Sequence, residues 1–257
     1  MCLIFLSFRQ HPTYDLVIAA NRDEFYQRKT APAAFWQDHP HILGGRDLEA
    51  GGTWMGLTTK GHFSMLTNYR DPFHINPSAP SRGHLVSKYL EEMPAPASYL
   101  AGIEKSGNHY NGFNLVAGTP SEIWYYSNYG RPAEKLEPGF YGLSNHLLNS
   151  PWPKIVRGKE RIAPVLQQRR IQPEELFELL YDETRAQDQE LPDTGIGLER
   201  ERALSSMFIK TQGYGSRSST VVLITKDGHV QFSERVYDVS TFQSHTANFE
   251  FDLSGYQ

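Results

Sequence analysis

Four pairs of short β-rich runs, each pair closed by a tight turn, constrain this chain more than any other feature. Cys2 to Phe8 and Tyr14 to Ala20 flank a His-Pro turn, and Thr53 to Thr58 and His62 to Asn68 flank Thr59-Lys60-Gly61. Phe113 to Ala117 and Glu122 to Ser127 flank Gly118-Thr119-Pro120; Thr220 to Thr225 and Val230 to Val236 flank Lys226-Asp227-Gly228. An Asp-Gly turn between β-rich runs is a strong hairpin signal. Hairpins without βαβ alternation predict antiparallel sheets. Helices are fewer. Gly83 to Met93 and Ala97 to Ser106 form one pair, and Pro151 to Gln168, with Ser150 at the N-cap, forms another segment. Pro173 to Glu183 opens on Pro173, Glu174 and Glu175, and buries Leu176, Phe177, Leu179 and Leu180 along one face. Residues 184–203 read as a surface loop, and the tail after Ser240 has no assigned structure. The expectation is one α+β domain over residues 1–257, with helices covering the sheet faces.

Composition excludes several functions. The 257 residues carry a net charge of −4, so there is no basic footprint for nucleic acid. A single cysteine makes no internal disulfide and no Cys-rich zinc site, and no His-x-x-x-His pair or His-carboxylate cluster offers a metal site. The apolar run from Cys2 to Phe8 stops at Arg9-Gln10-His11-Pro12, too short for a signal-peptide core or a bilayer span. A cytoplasmic location without a membrane span is expected.

That single cysteine carries chemical interest. If Met1 is removed, Cys2 combines a thiol with a free α-amine whose ordinary pKa of about 8 suits it to accept the thiol proton. The plain alternative is a small buried hydrophobe opening a strand. The second β-rich run leads into Asn21-Arg22-Asp23-Glu24. With the turn near residues 9–13, residue 2 faces roughly residue 20, so the quartet is expected beside Cys2. A nearby guanidinium favours the thiolate, and a carboxylate could orient the amine.

These motifs resemble the NRDE family, the Transport and Golgi organisation protein 2 family, over nearly the whole chain. The resemblance rests on Met1-Cys2, Ala19-Ala20-Asn21-Arg22-Asp23-Glu24, Gly51-Gly52-Thr53-Trp54-Met55-Gly56, Thr67-Asn68-Tyr69-Arg70 and Ser81-Arg82-Gly83. Gly112-Phe113-Asn114-Leu115, Leu143-Ser144-Asn145 and Arg217-Ser218-Ser219-Thr220 complete it. The family in turn resembles N-terminal-nucleophile hydrolases such as penicillin V acylase and choloylglycine hydrolase. This implies a four-layer αββα sandwich of two antiparallel sheets. The resemblance implies Cys2 as nucleophile, Arg22 and Asp23 beside it, Asn68 as oxyanion donor, Asn145 as a second catalytic Asn, and Arg217 as the late Arg. Here the order Asn21-Arg22-Asp23 departs from those enzymes' Arg-Asn-x-Asp spacing.

Two function classes follow. The leading one is a carrier: the family is associated with haem trafficking and with acyl-CoA or lipid metabolism. Both ligands join an apolar body to anionic groups. Asn21, Glu24, Trp54, Arg70 and Arg82 would line such a cleft with the residues above, haem being cargo and no cofactor being required. A chain that keeps Met1 has no free amine on Cys2, which favours this reading. The alternative is a cysteine hydrolase cleaving C–N bonds of a small amide or acyl substrate.

Overall fold

The structure, a computed structural model, describes residues 3–255. Its strands are β1 (Leu3–Phe8), β2 (Tyr14–Phe25), β3 (Thr30–Phe35), β4 (Ile42–Asp47), β5 (Met55–Thr58), β6 (Phe63–Asn68), β7 (Phe113–Thr119), β8 (Glu122–Ser127), β9 (Glu134–Leu136), β10 (Gly139–Leu143), β11 (Tyr214–Thr225), β12 (His229–Tyr237) and β13 (Ser244–Asp252). Its α-helices are α1 (Gly83–Glu92), α2 (Pro96–Ser106), α3 (Pro153–Ile162), α4 (Pro173–Leu180) and α5 (Leu198–Ala203).

Every strand pairing is antiparallel. One sheet runs β10-β1-β2-β11-β12-β13, the other β3-β4-β5-β6-β7-β8-β9. All four expected hairpins form: β1–β2, β5–β6, β7–β8 and β11–β12. Cys2, expected to open β1, lies outside the described residues.

Strand alternation builds the layers. In β1, Ile4, Leu6 and Phe8 point between the sheets, while Leu3 and Phe5 point toward α3 and α4. Leu16 and Ile18 of β2, and Val222 and Ile224 of β11, join the inner core. Val17, Ala19, Val221 and Leu223 join the helix-side core with Leu176, Phe177 and Leu180 of α4. On the other sheet, Met65 and Val116 face inward. Leu66, Leu115 and Phe113 pack on Leu85, Val86 and Tyr89 of α1 and Leu100 of α2. Strands covered on both faces need near-continuous apolar runs, which explains why Leu3 to Phe8 is apolar at every position but Ser7. The result is α+β, with four layers in the order helices, sheet, sheet, helices.

Several boundaries differ from the sequence expectations. The third helix starts at Pro153 rather than Pro151, because Trp152 takes the extended N-cap conformation and Pro153 is the first helical residue. It stops at Ile162, and Val165–Gln167 forms a separate 3-10 turn after Pro164, whose ring nitrogen cannot donate. The fourth helix ends at Leu180 because Asp182 is committed elsewhere. Its carboxylate takes Arg157 at 2.8 Å and Arg161, and its carbonyl accepts the Phe208 amide at 2.9 Å. The expected 184–203 loop contains α5, and the tail after Ser240 supplies edge strand β13.

Helix α3 approaches β1 through Gly158, where a built Cβ would lie 2.0 Å from Phe5 Cζ. Gly158→Val forces α3 off the sheet. It should lower unfolding free energy by about 1–3 kcal/mol, read from urea titration, whereas Val156→Ala on the exposed side of α3 should change it by under about 0.5 kcal/mol.

Candidate functional site

Strand β2 runs on through Asn21 to Phe25 instead of releasing the quartet as a loop. Alternation therefore divides it. Asn21 and Asp23 point to the helix side. Asn21 is fully buried; its Nδ2 donates to the carbonyls of Leu180 at 2.9 Å and Met207 at 2.8 Å, and its Oδ1 accepts from Ser219 Oγ at 2.6 Å. Asp23 accepts from Ser216 Oγ at 2.5 Å. Arg22 and Glu24 point the other way. The Arg22 side chain, 4% exposed, stacks its guanidinium 4.1 Å from the Trp54 ring centroid and 3.7 Å from Glu24. Burial lowers its pKa, the nearby Arg217 adds to that, and Glu24 opposes it.

The Gly-Gly-Thr-Trp segment explains how Trp54 reaches Arg22. Gly52 lies so close to the start of α1 that a Cβ there would sit 2.5 Å from the Gly83 carbonyl carbon. The Thr53 amide donates to the Gly83 carbonyl at 3.3 Å, and Thr53 Oγ1 donates to the Gly45 carbonyl at 2.7 Å. These contacts fix the turn that presents the indole. They also bring Arg82, the residue before α1, to the same rim, where its Nη1 donates to the Gly112 carbonyl at 2.7 Å.

Two cavities meet here. A polar lobe of about 500 Å³ is lined by Arg22, Glu24, Arg28, Asp47, Trp54 and Arg82. Arg28 holds Asp47 at 2.6 Å, keeping that carboxyl below its usual range despite its burial. A more apolar lobe of about 390 Å³ is lined by Tyr69, Ile75, Ile196, Leu204, Ile209 and Tyr214. Phe25, Asn68, Arg82 and Asn111 line both, so the lobes form one cleft. A third chamber of about 70 Å³ lies behind Arg22 and Trp54, lined also by Arg217, Ser218 and Glu234. A larger groove of about 660 Å³ on the helix side of the first sheet contains none of the residues selected from the sequence.

The structure thus gathers Arg22, Glu24, Trp54, Asn68, Arg82 and Asn145 around one cleft. Asn145 Nδ2 donates to the Asn68 carbonyl at 3.0 Å, and the Arg70 amide donates to the Asn145 carbonyl at 2.8 Å, so Asn145 clamps the end of β6. The Arg70 guanidinium pairs with Glu201 at 2.7 Å and stacks on Trp152 at the cleft's far edge. Arg217 reaches the back chamber, its Nη1 donating to the carbonyls of Phe25 and Arg28 at 3.1 and 2.8 Å. Cys2 lies outside the described residues; Leu3, which follows it, pairs with Asn21. Among the described residues no group of three or more His, Cys, Asp or Glu could hold a metal ion, and no helix is long and apolar enough to cross a membrane.

A family model described as Transport and Golgi organisation 2 matches residues 1–239. The Transport and Golgi organization 2 homolog of Mus musculus is 38% identical over 98% of this chain and 99% of its own. The Drosophila melanogaster Transport and Golgi organization protein 2 is 30% identical over 91% of each. The chain belongs to the Transport and Golgi organisation 2 family. Its fold is that of N-terminal-nucleophile hydrolases. A Caenorhabditis elegans N-acylethanolamine-hydrolyzing acid amidase ortholog superimposes with a TM-score of 0.50 over 86% of this chain and 92% of that one, at 9% identity.

Sequence reasoning in this family member missed Arg28, Asp47 and Glu234. A signal for the last was present: Val230, Phe232 and Glu234 share one parity in β12, so a strand with an apolar inner face carries one carboxylate inward. That residue is buried, and its Oε2 accepts the Ala33 amide at 2.6 Å.

The division of the quartet predicts different consequences for its members. Asn21→Ala orphans two buried carbonyls and should destabilise the fold by about 2–4 kcal/mol. Glu24→Gln, on the other face and partly exposed, loosens only the contacts at 3.7 Å and 3.9 Å to Arg22 and Arg28 and should change stability by under about 1.5 kcal/mol. Guanidinium titration of the two variants reads the contrast, and equal losses would contradict it.

Proposed function

We propose that this protein binds an amphipathic anion, with haem or a long-chain acyl-CoA as the ligand class. The observation that supports this reading is the two-part cleft, in which an arginine-rich lobe adjoins an apolar, aromatic one along Phe25, Asn68, Arg82 and Asn111. The anionic group would sit against Arg22 and Arg82, and the apolar body against Tyr69, Ile75, Leu204 and Tyr214. Such a cavity follows the usual pattern of small-molecule sites, apolar walls with a few placed polar groups. For haem, the rim also offers an imidazole. His74 lines the apolar lobe, and its Nδ1 lies 2.6 Å from Asp71 Oδ2, the carboxylate partner that orients metal-ligating histidines.

A second reading is a cysteine amidohydrolase. It draws on the hydrolase-type fold and on Asn68 and Asn145 being bonded to each other at the junction of the lobes. The amidase activity in the worm protein's name belongs to that protein. Carried here as a proposal, it makes Cys2 the nucleophile and Asn68 the donor to the oxyanion, with the α-amine freed by removal of Met1.

Titration of the full chain with haemin and with palmitoyl-CoA separates the readings. Binding should saturate, survive Cys2→Ala and weaken roughly tenfold to a hundredfold in Arg82→Ala, the scale of one lost charge-assisted bond. Amine release from an N-acyl amide that disappears in Cys2→Ala, with no saturable binding of either ligand, would overturn the carrier reading in favour of the hydrolase.

A further inference from the structure

The chamber behind Arg22 contains a carboxylate with no assigned role. Arg22 and Trp54 are walls of both this chamber and the cleft. Glu234 lines the chamber but not the cleft, with 2% of its surface exposed. From β11 it meets Ser218, with Arg217 on the chamber wall; from β3 it accepts the Ala33 amide; from β2 it faces the charge of Arg22; from β13 its strand partner is the uncharged Ala247. Glu24 and Asp47 lie in the polar lobe, each tied to an arginine. A ligand anion in that lobe and the Glu234 carboxylate would therefore oppose each other across one guanidinium.

We infer that Glu234 is an affinity-determining residue for the cleft: ionised, it offsets the charge of Arg22, and protonated, it leaves that charge to the ligand. This rests on the reading of the cleft as an anion site and deepens it. Burial pushes the Glu234 carboxyl up to about 7, although the Ala33 amide, Arg22 and Ser218 each pull it down. The exchange thus falls near neutral pH. The sign follows from linkage. A bound anion disfavours the second negative charge and raises the proton affinity of Glu234, so protonation must strengthen binding by the same factor. One pKa unit of such a rise is tenfold in affinity. The ligand class favoured by this arrangement is one that keeps its full negative charge between pH 6 and 8, such as a sulfonate, a carboxylate or a phosphodiester.

The test uses 8-anilinonaphthalene-1-sulfonate, an amphipathic anion, titrated into the full chain at pH 6 and pH 8. Its Kd for the wild type should rise about fivefold between the two, the part of the full tenfold exchange that falls below pH 8. Glu234→Gln, which imitates the protonated carboxyl and can still accept the Ala33 amide, should bind as tightly at pH 8 as at pH 6. The same change leaves His74 on the rim untouched, so comparing the two proteins isolates Glu234. Parallel profiles in both proteins would overturn the inference while leaving the cleft reading intact. Absence of probe binding at either pH would overturn both. If Glu234→Gln does not fold, infrared spectroscopy of the wild type decides. The carbonyl band of a buried protonated carboxyl should fade as pH rises through about 7 and persist to higher pH with probe bound. A band that fades at the same pH with and without probe would refute the inference.

Discussion

The period-two alternation of β2, a central strand covered on both faces, is the constraint on which this molecule depends. Leu16, Ile18 and Ala20 go to the core between the sheets, and Val17 and Ala19 to the core under α3 and α4. Because the strand continues without a break through residue 25, the same rule sorts the polar residues that follow. Asn21 becomes a buried connector between the sheet and the ends of α4 and the Met207 segment. Arg22, one residue on, becomes a charge held between the sheets. A one-residue slip would exchange these positions, and pairing of β2 with both β1 and β11 prevents it.

A nearly buried guanidinium needs compensation. Arg22 receives it from the face of Trp54, the carboxylate of Glu24, and the more distant charges of Asp47 and Glu234. None of these is a close bidentate ion pair, in contrast to the tight Arg28–Asp47 and Arg70–Glu201 pairs nearby. Cation–π stabilisation is worth about 0.5–2 kcal/mol, less than a buried charge-assisted hydrogen bond network. Arg22 is thus held in place while keeping electrostatic demand for an anion, and the glycine contact between residues 52 and 83 fixes the indole that holds it.

Much of this was legible in the chain. The four hairpins were marked by turn residues acting within a few positions, and the antiparallel sheets followed. The strands that escaped notice have physical reasons. Strand β3 contains Pro32 and three alanines, β4 contains Gly44 and Gly45, and β9 has three residues. Their strand state comes from neighbours in the sheet rather than from propensity. Edge strand β13 is half exposed, so its apolar pattern is diluted. For the site, residue identities pointed to Arg22, Trp54, Asn68, Arg82 and Asn145, which the fold does assemble around one cleft. What the chain concealed was the sorting of Asn21 from Arg22, because that depends on β2 being extended by its pairing with β11 nearly two hundred residues away.

A crystal structure of the chain with palmitoyl-CoA bound would show which site takes the ligand. The ligand's phosphates should lie against Arg22 and Arg82 and its acyl chain along Tyr69, Ile75 and Tyr214. Density for the ligand in the groove beside Lys154, Arg157 and Arg185 on the helix side, with the Trp54 cleft empty, would contradict that placement.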